Sequence, residues 1–192
     1  MTDTGRRERK KARTRRALDE AALRLFLEHG YDHVTVARIA DEADVSVATL
    51  FAHVPDGKEA LIFDDGTERR EGVVAAVRDR APGEEVLTAL HRFFASRGPF
   101  AAQLPPELER KRALIVNTPA LRGYARRLWI ACEVPLAEAI AEAGGLDATD
   151  PSVRALARFV LEIPDLTGAD PDPLAALATV FGHLARGWPA NT

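Results

Sequence analysis

The 192-residue chain contains one cysteine, Cys132. A single thiol cannot build an intramolecular disulfide framework and points to a reducing compartment. No apolar run approaches the ~18 residues that a membrane-spanning helix needs. No apolar h-region follows the basic amino-terminal stretch. The sequence therefore predicts a cytoplasmic protein with no membrane partner. Alternating runs of β-branched residues are missing, which argues against a sheet. The five histidines, His29, His33, His53, His91 and His183, are scattered. None belongs to an HExxH motif and no Cys–His cluster exists for zinc, so no metal site and no cofactor is expected. No glycine-rich loop follows a strand, and none of Ser46, Ser96 and Ser152 sits in a nucleophile elbow. No catalytic residue can be nominated, and a helical enzyme is the weaker alternative. Excess charge is also small, at −3.

What remains is helix. The composition, 46% apolar and 29% charged, is that of a soluble globular protein. The length fits one compact domain, or a small domain joined to a larger one. Glycines and prolines cut the chain into helix-length pieces near 10–29, 36–43, 46–53, 58–80, 84–96, 107–117, 119–143, 151–163 and 173–187. The expected fold is all-α. Thr118-Pro119, Asp150-Pro151 and Asp172-Pro173 each place a cap residue before proline at a first helical position. Asp64-Asp65-Gly66 weakens the start of the 58–80 helix. Pro135 should kink or end the 119–143 helix.

The stretch from Thr35 to Lys58 carries the most information. Thr35 is a cap-type residue before Val36, Ile39, Ala40 and Ala43, which share one helical face. Asp44 breaks that pattern, and Val45 plugs a tight turn. Ser46 then caps a second short helix bearing Val47, Leu50 and Phe51. Two short helices joined this way make a helix-turn-helix, which lays its second helix in the DNA major groove.

The segment just upstream agrees. Arg6 to Arg16 is basic except for Glu8, Ala12 and Thr14. Such a cluster repels itself in isolation and becomes favourable beside phosphates. The first sixteen residues are strongly positive and the remainder acidic. DNA attraction follows local charge, so the small net charge does not oppose it.

The run from Thr14 to Lys58 resembles the amino-terminal domain of TetR-type one-component transcriptional regulators. The shared motifs are Ala21, Ala22, Leu25 and Phe26; Gly30 and Tyr31; Thr35, Val36, Ile39 and Ala40; and Val45, Ser46, Thr49 and Leu50, followed by Lys58. They cover about a quarter of the chain. The resemblance implies a DNA-binding head over 1–57 and a helical effector-binding and dimerisation body over 58–192. It implies a repressor that is released from a palindromic double-stranded operator by a small-molecule effector. A regulator controlled by a partner protein is the alternative within the same class.

The candidate DNA contacts are Arg13, Arg15, Arg16, Thr35, Ser46, Val47, Ala48, Thr49, Phe51, His53 and Lys58. The second helix has no Arg or Lys, so the usual arginine–guanine fork is missing. The Ser46 and Thr49 hydroxyls can meet a base edge or a phosphate. Val47, Ala48 and the Thr49 methyl suit thymine methyl groups. Phe51 stands where the family usually has a tyrosine that reaches phosphate. Asp44 stands where it usually has glycine, and one extra residue precedes Lys58. These departures shift the phosphate contacts onto Arg13, Arg15 and Arg16.

In the body, the resemblance implies a ligand cavity among the middle helices. Candidate lining residues are His91, Phe93, Phe94, Phe100, Leu104, Tyr124, Leu128, Trp129 and Cys132, mostly apolar as pockets are. Taken alone, Cys132 reads as a small core residue. The last two helices carry the stripes Val153, Leu156, Val160 and Leu174, Leu177, Phe181, Leu184. Ordinary core is one reading of them; a homodimer interface, a four-helix bundle across two subunits, is the reading the resemblance implies.

Overall fold

The computed structural model describes residues 3–187. Among the described residues there are ten α-helices, short 3-10 turns and no strand. The chain divides into two compact units, Met1–Asp64 and Asp65–Thr192.

The first unit holds α1 (Asp3–His29), α2 (Val36–Glu42) and α3 (Val47–His53). The basic stretch is the first part of α1, continuous with its apolar half. Residues 6–13 are all exposed, and burial begins with Leu18. Leu18, Ala22, Leu25 and Phe26 meet Ile39, Ala40, Leu50 and Val54 in one small core. The 58–80 helix is not continuous. Lys58–Ile62 forms a 3-10 turn packed on α1, burying Ala60, Leu61 and Ile62. Phe63 is extended, and Gly66 takes a left-handed conformation with φ 79. The Asp65 carboxylate accepts from the Thr67 amide at 3.0 Å and starts a new helix. A cap signal inside an apolar pattern here ends one element and begins the next.

The second unit holds α4 (Thr67–Arg78), α5 (Val86–Ala95), α6 (Pro106–Asn117), α7 (Pro119–Ile130), α8 (Glu133–Gly144), α9 (Pro151–Thr167) and α10 (Pro173–Arg186). Helix α8 is central. It buries Leu136, Ala137, Ala139, Ile140 and Ala141 against α4 and α9. The break in the 119–143 segment falls at Ala131–Cys132, ahead of Pro135. Pro135 therefore sits in the first turn of α8, where its missing N–H would have had no partner. Helix α9 runs through Pro164 to Thr167, past its expected end at 163. The Thr167 hydroxyl donates to the Ile163 carbonyl at 2.8 Å in that last turn. Asp150 and Asp172 cap α9 and α10 with their carboxylates.

The stripes nominated for a dimer interface are largely the core of this unit. Val153, Val160, Leu177 and Phe181 are 4% exposed or less, and Leu156 and Leu184 pack partly buried against them. Only Leu174 is open, at 41%. An apolar stripe marks the face that a helix buries without naming the surface it is buried against. Here α8 and α5 supply much of that surface.

Candidate functional site

The helix-turn-helix has the geometry that its cap residues dictate. Thr35 accepts from the Arg38 amide at 3.2 Å and starts α2. Asp44 occupies the left-handed region with φ 53, so it turns the chain where glycine would. The Val45 amide reaches back to the Ala40 carbonyl at 3.0 Å. Ser46 accepts from the Thr49 amide at 3.1 Å and opens α3, and the two hydroxyls lie 2.8 Å apart. Leu50 and Val54 point into the core. Val47, Ala48, Phe51 and Ala52 are exposed, while Thr49 and His53 are half-buried. Val47 is 37% and Phe51 46% exposed, so the outer surface of α3 is apolar.

The basic residues separate into two groups. Arg13 and Arg16 are exposed on α1. Arg15 instead turns inward. It pairs with Asp19 at 2.8 Å and donates to the carbonyls of Ala60 at 2.6 Å and Phe63 at 3.2 Å, and more weakly to that of His53. Lys58 also turns inward. Its ammonium donates to the Tyr31 and Val34 carbonyls at 2.9 and 2.8 Å. It lies 4.0 Å from the centroid of the Tyr31 ring. The Tyr31 hydroxyl bonds the Glu59 carboxylate, and burial together with Glu59 pushes that phenol up. Lys58 and Arg15, both expected at the DNA, are here bonded to main-chain carbonyls of their own unit. His53 is held below its ordinary value, first by burial and then by Lys11 and Arg15. Sequence reasoning passed over Arg38, exposed on α2 and 2.6 Å from the His29 imidazole. An isolated arginine on a short helix gave no signal.

The aromatics nominated as a ligand pocket pack on one another. Phe94 lies 5.0 Å from Trp129 and 5.2 Å from Phe93, centroid to centroid. Tyr124 and Cys132 are buried, and burial pushes the Cys132 thiol up. His91 sits against Phe181 at 5.3 Å with its Nε2 buried and without a hydrogen-bond partner. Leu104 and Leu128 are half-buried. Of these, only Trp129 lines a described cavity. A groove of about 490 Å³ opens elsewhere in the unit, lined by Phe100, Arg112, Val116, Asn117, Asp170 and Leu174 among others. An adjoining cavity of about 70 Å³ is lined by Ile115, Arg122, Ala125, Trp129 and Pro164. Pro99, Val116, Gly168 and Ala169 border both. Phe100 and Trp129 are thus the two nominated residues that reach open space. Helix α6 buries no residue fully and forms one wall. Arg112 is steadied there by donating to the Ala101 carbonyl at 2.9 Å. The groove joins segments far apart in sequence, so no local pattern announced it.

Residues 19–64 match the family model described as "Bacterial regulatory proteins, tetR family", and residues 83–164 match the "MftR C-terminal domain". The chain is 34% identical over 154 residues to the HTH-type transcriptional regulator TcmR of Streptomyces glaucescens, covering 76% of this chain and 67% of that protein. The chain belongs to the TetR family. It is a DNA-binding transcriptional regulator of that family, with an amino-terminal helix-turn-helix unit and a helical carboxy-terminal unit. The chain is also 40% identical over 77 residues to the HTH-type transcriptional repressor Rv1474c of Mycobacterium tuberculosis. That match spans 35% of this chain and 40% of the other. Among solved structures, the TetR-family repressor FadR of Thermus thermophilus, in complex with lauroyl-CoA, superposes with a TM-score of 0.54 at 25% identity. It covers 93% of this chain and 96% of that one.

Proposed function

We propose that this TetR-family protein is a cytoplasmic, homodimeric, non-enzymatic repressor that leaves a palindromic operator when a small molecule occupies its body. The observation that carries the reading is the capped, solvent-facing α3 beside a helical run of exposed cations on α1. Arg13 and Arg16, with Arg38 on α2, serve phosphates. Val47, Ala48, Phe51 and the Ser46–Thr49 pair meet base edges, and Thr35 fixes the start of α2. Lys58 and Arg15 hold the head rigid and leave phosphate contact to the others.

Dimerisation falls to the outer faces of α9 and α10. Phe159 and Leu166 are 59% and 72% exposed, and Ala155, Ala175, Ala178 and Ala185 are exposed beside them in the sequence pattern. Large apolar side chains left open on one face suit a self-complementary two-fold contact. The effector seat is the groove along α6, within the usual range of roughly 300–1,000 Å³ for small-molecule sites. Its larger lobe mixes polar and apolar walls, and its smaller lobe presents mainly apolar surface although Arg122, Arg126 and Asp165 also line it. That division suits a molecule with a polar head and a narrow hydrocarbon end, the character of the lauroyl-CoA held by FadR.

The test uses full-length protein and a duplex recovered from random DNA. Sedimentation should show a dimer that Phe159→Glu converts to monomer. Lauroyl-CoA should weaken duplex binding by about 5- to 150-fold, the usual range of allosteric coupling. A wild-type monomer, or binding curves that superimpose with and without lauroyl-CoA, would remove the corresponding part of the reading.

A further inference from the structure

Resting on the DNA-binding reading above, we infer that α3 recognises its operator through the C5 methyl groups of thymine, and that the same sequence built with uracil is not recognised. Val47 and Phe51 are four residues apart, as are Ala48 and Ala52, so two exposed rows lie side by side on successive turns. Together they form one apolar surface, with Val47 37% and Phe51 46% exposed. Leu50 and Val54 anchor the opposite side at 0% and 1%.

The two hydroxyls at the start of α3 bond to each other, which leaves few polar groups on its outer face. The Ser46 and Thr49 hydroxyls lie 2.8 Å apart, and Ser46 also accepts from the Thr49 amide. From Val47 to His53 there is no Arg, Lys, Asn, Gln, Asp or Glu to fork onto a base. Neighbouring cations do not make up the loss. Arg15 and Lys58 are spent on main-chain carbonyls of their own unit. Arg13 and Arg16 lie on the long cationic helix, where they suit phosphates, which carry position and not sequence.

The major-groove edges of the four base pairs are donors and acceptors with a single apolar exception, the thymine methyl. An apolar helix set against donors and acceptors strips their water and returns nothing. Set against methyl groups, it gains from burial on both sides. The favourable partner for α3 is therefore a methyl-rich stretch of groove. A second protein is the competing occupant for an exposed apolar patch. The dense run of cations from Arg6 to Arg16 on the same unit favours the polyanion.

The experiment compares two random-sequence duplex libraries, identical except that one carries thymine and the other uracil. Full-length protein should enrich a motif from the thymine library and not from the uracil library. Exchanging single thymines for uracil in that motif should weaken binding about fourfold for each methyl covered, and nowhere else. The double variant Val47→Ser, Phe51→Ser should bind both versions alike, while still holding DNA through α1. One motif drawn equally from both libraries, with equal affinities, would overturn the inference and leave the DNA-binding reading intact. Enrichment from neither library would overturn the DNA-binding reading itself.

Discussion

Lys58→Met separates two roles that a lysine at this position could have. Methionine keeps the methylene stem that packs near Phe26 and Tyr31 and deletes the three donors. The Tyr31 and Val34 carbonyls then lose donors at 2.9 and 2.8 Å, and the Tyr31 ring loses a cation at 4.0 Å. A hydrogen bond from a charged donor contributes about 1.5–3 kcal/mol and a cation over an aromatic face about 0.5–2. Lys58 is half-buried, so solvent replaces part of this. A loss of about 2–4 kcal/mol is expected, most of what a unit of this size can hold. The melting transition of the head should fall by roughly 8–32 °C, taking about 4–8 °C per kcal/mol for a small domain. At a temperature where the head stays folded, the dependence of DNA affinity on salt should match wild type. Thermal unfolding by circular dichroism and DNA titrations over a salt series measure the two. An unmoved transition together with a slope reduced by about 0.9 would show that Lys58 serves a phosphate and that the clasp is unimportant.

Arg15→Ala should behave like Lys58→Met, lowering the melting temperature of the head. Arg13→Ala with Arg16→Ala should leave melting alone and reduce the salt slope by about 0.9 for each phosphate lost. Burial, and then Lys11 and Arg15, hold His53 below its ordinary value. Its contribution to stability is therefore complete above the unfolded value near about 6.5 and lost as pH falls below it. A phosphate beside it would favour the imidazolium, so DNA affinity should rise as pH falls over the same range. His53→Gln should flatten both trends, and an affinity flat with pH in the wild type would remove His53 from the contacts. Gly168→Ala would place a methyl 2.5 Å from the Pro164 carbonyl oxygen and 2.9 Å from Pro99 Cγ, between the two lobes of the groove. The end of α9 and the 98–100 turn must then move apart, and calorimetry of the full chain should show a loss of about 1–3 kcal/mol.

The head was legible because its signals are local. Thr35 and Ser46 begin helices by accepting main-chain amides three residues on, and Asp44 tolerates the left-handed turn. The direction of a long side chain is not local. Arg15 and Lys58 carry the charge that phosphate wants, yet the same charge satisfies the carbonyls of Ala60, Phe63, Tyr31 and Val34. In the body, periodicity found the apolar stripes of α9 and α10. The burial of Val160 and Leu177 within one chain depends on α8 and α5, which arrive from elsewhere in the sequence. The groove was hidden for a related reason. It depends on Pro99 approaching Gly168 across nearly seventy positions, while the aromatics that looked like a pocket fill one another's space.

In the proposed function α3 enters the major groove of DNA, once from each subunit. Cys132 is the chain's single cysteine and is 3% exposed, with its thiol pushed up by burial. A cysteine introduced by Ala48→Cys on the open face of α3 can therefore be labelled selectively with a DNA-cleaving iron chelate. On a duplex selected by the full-length protein, the account predicts two clusters of strand cleavage inside the protected region. They should be related by a two-fold axis and separated by about 34–36 Å or a multiple of it. Cleavage that is absent, unpaired, or confined to DNA outside the protected region would contradict it.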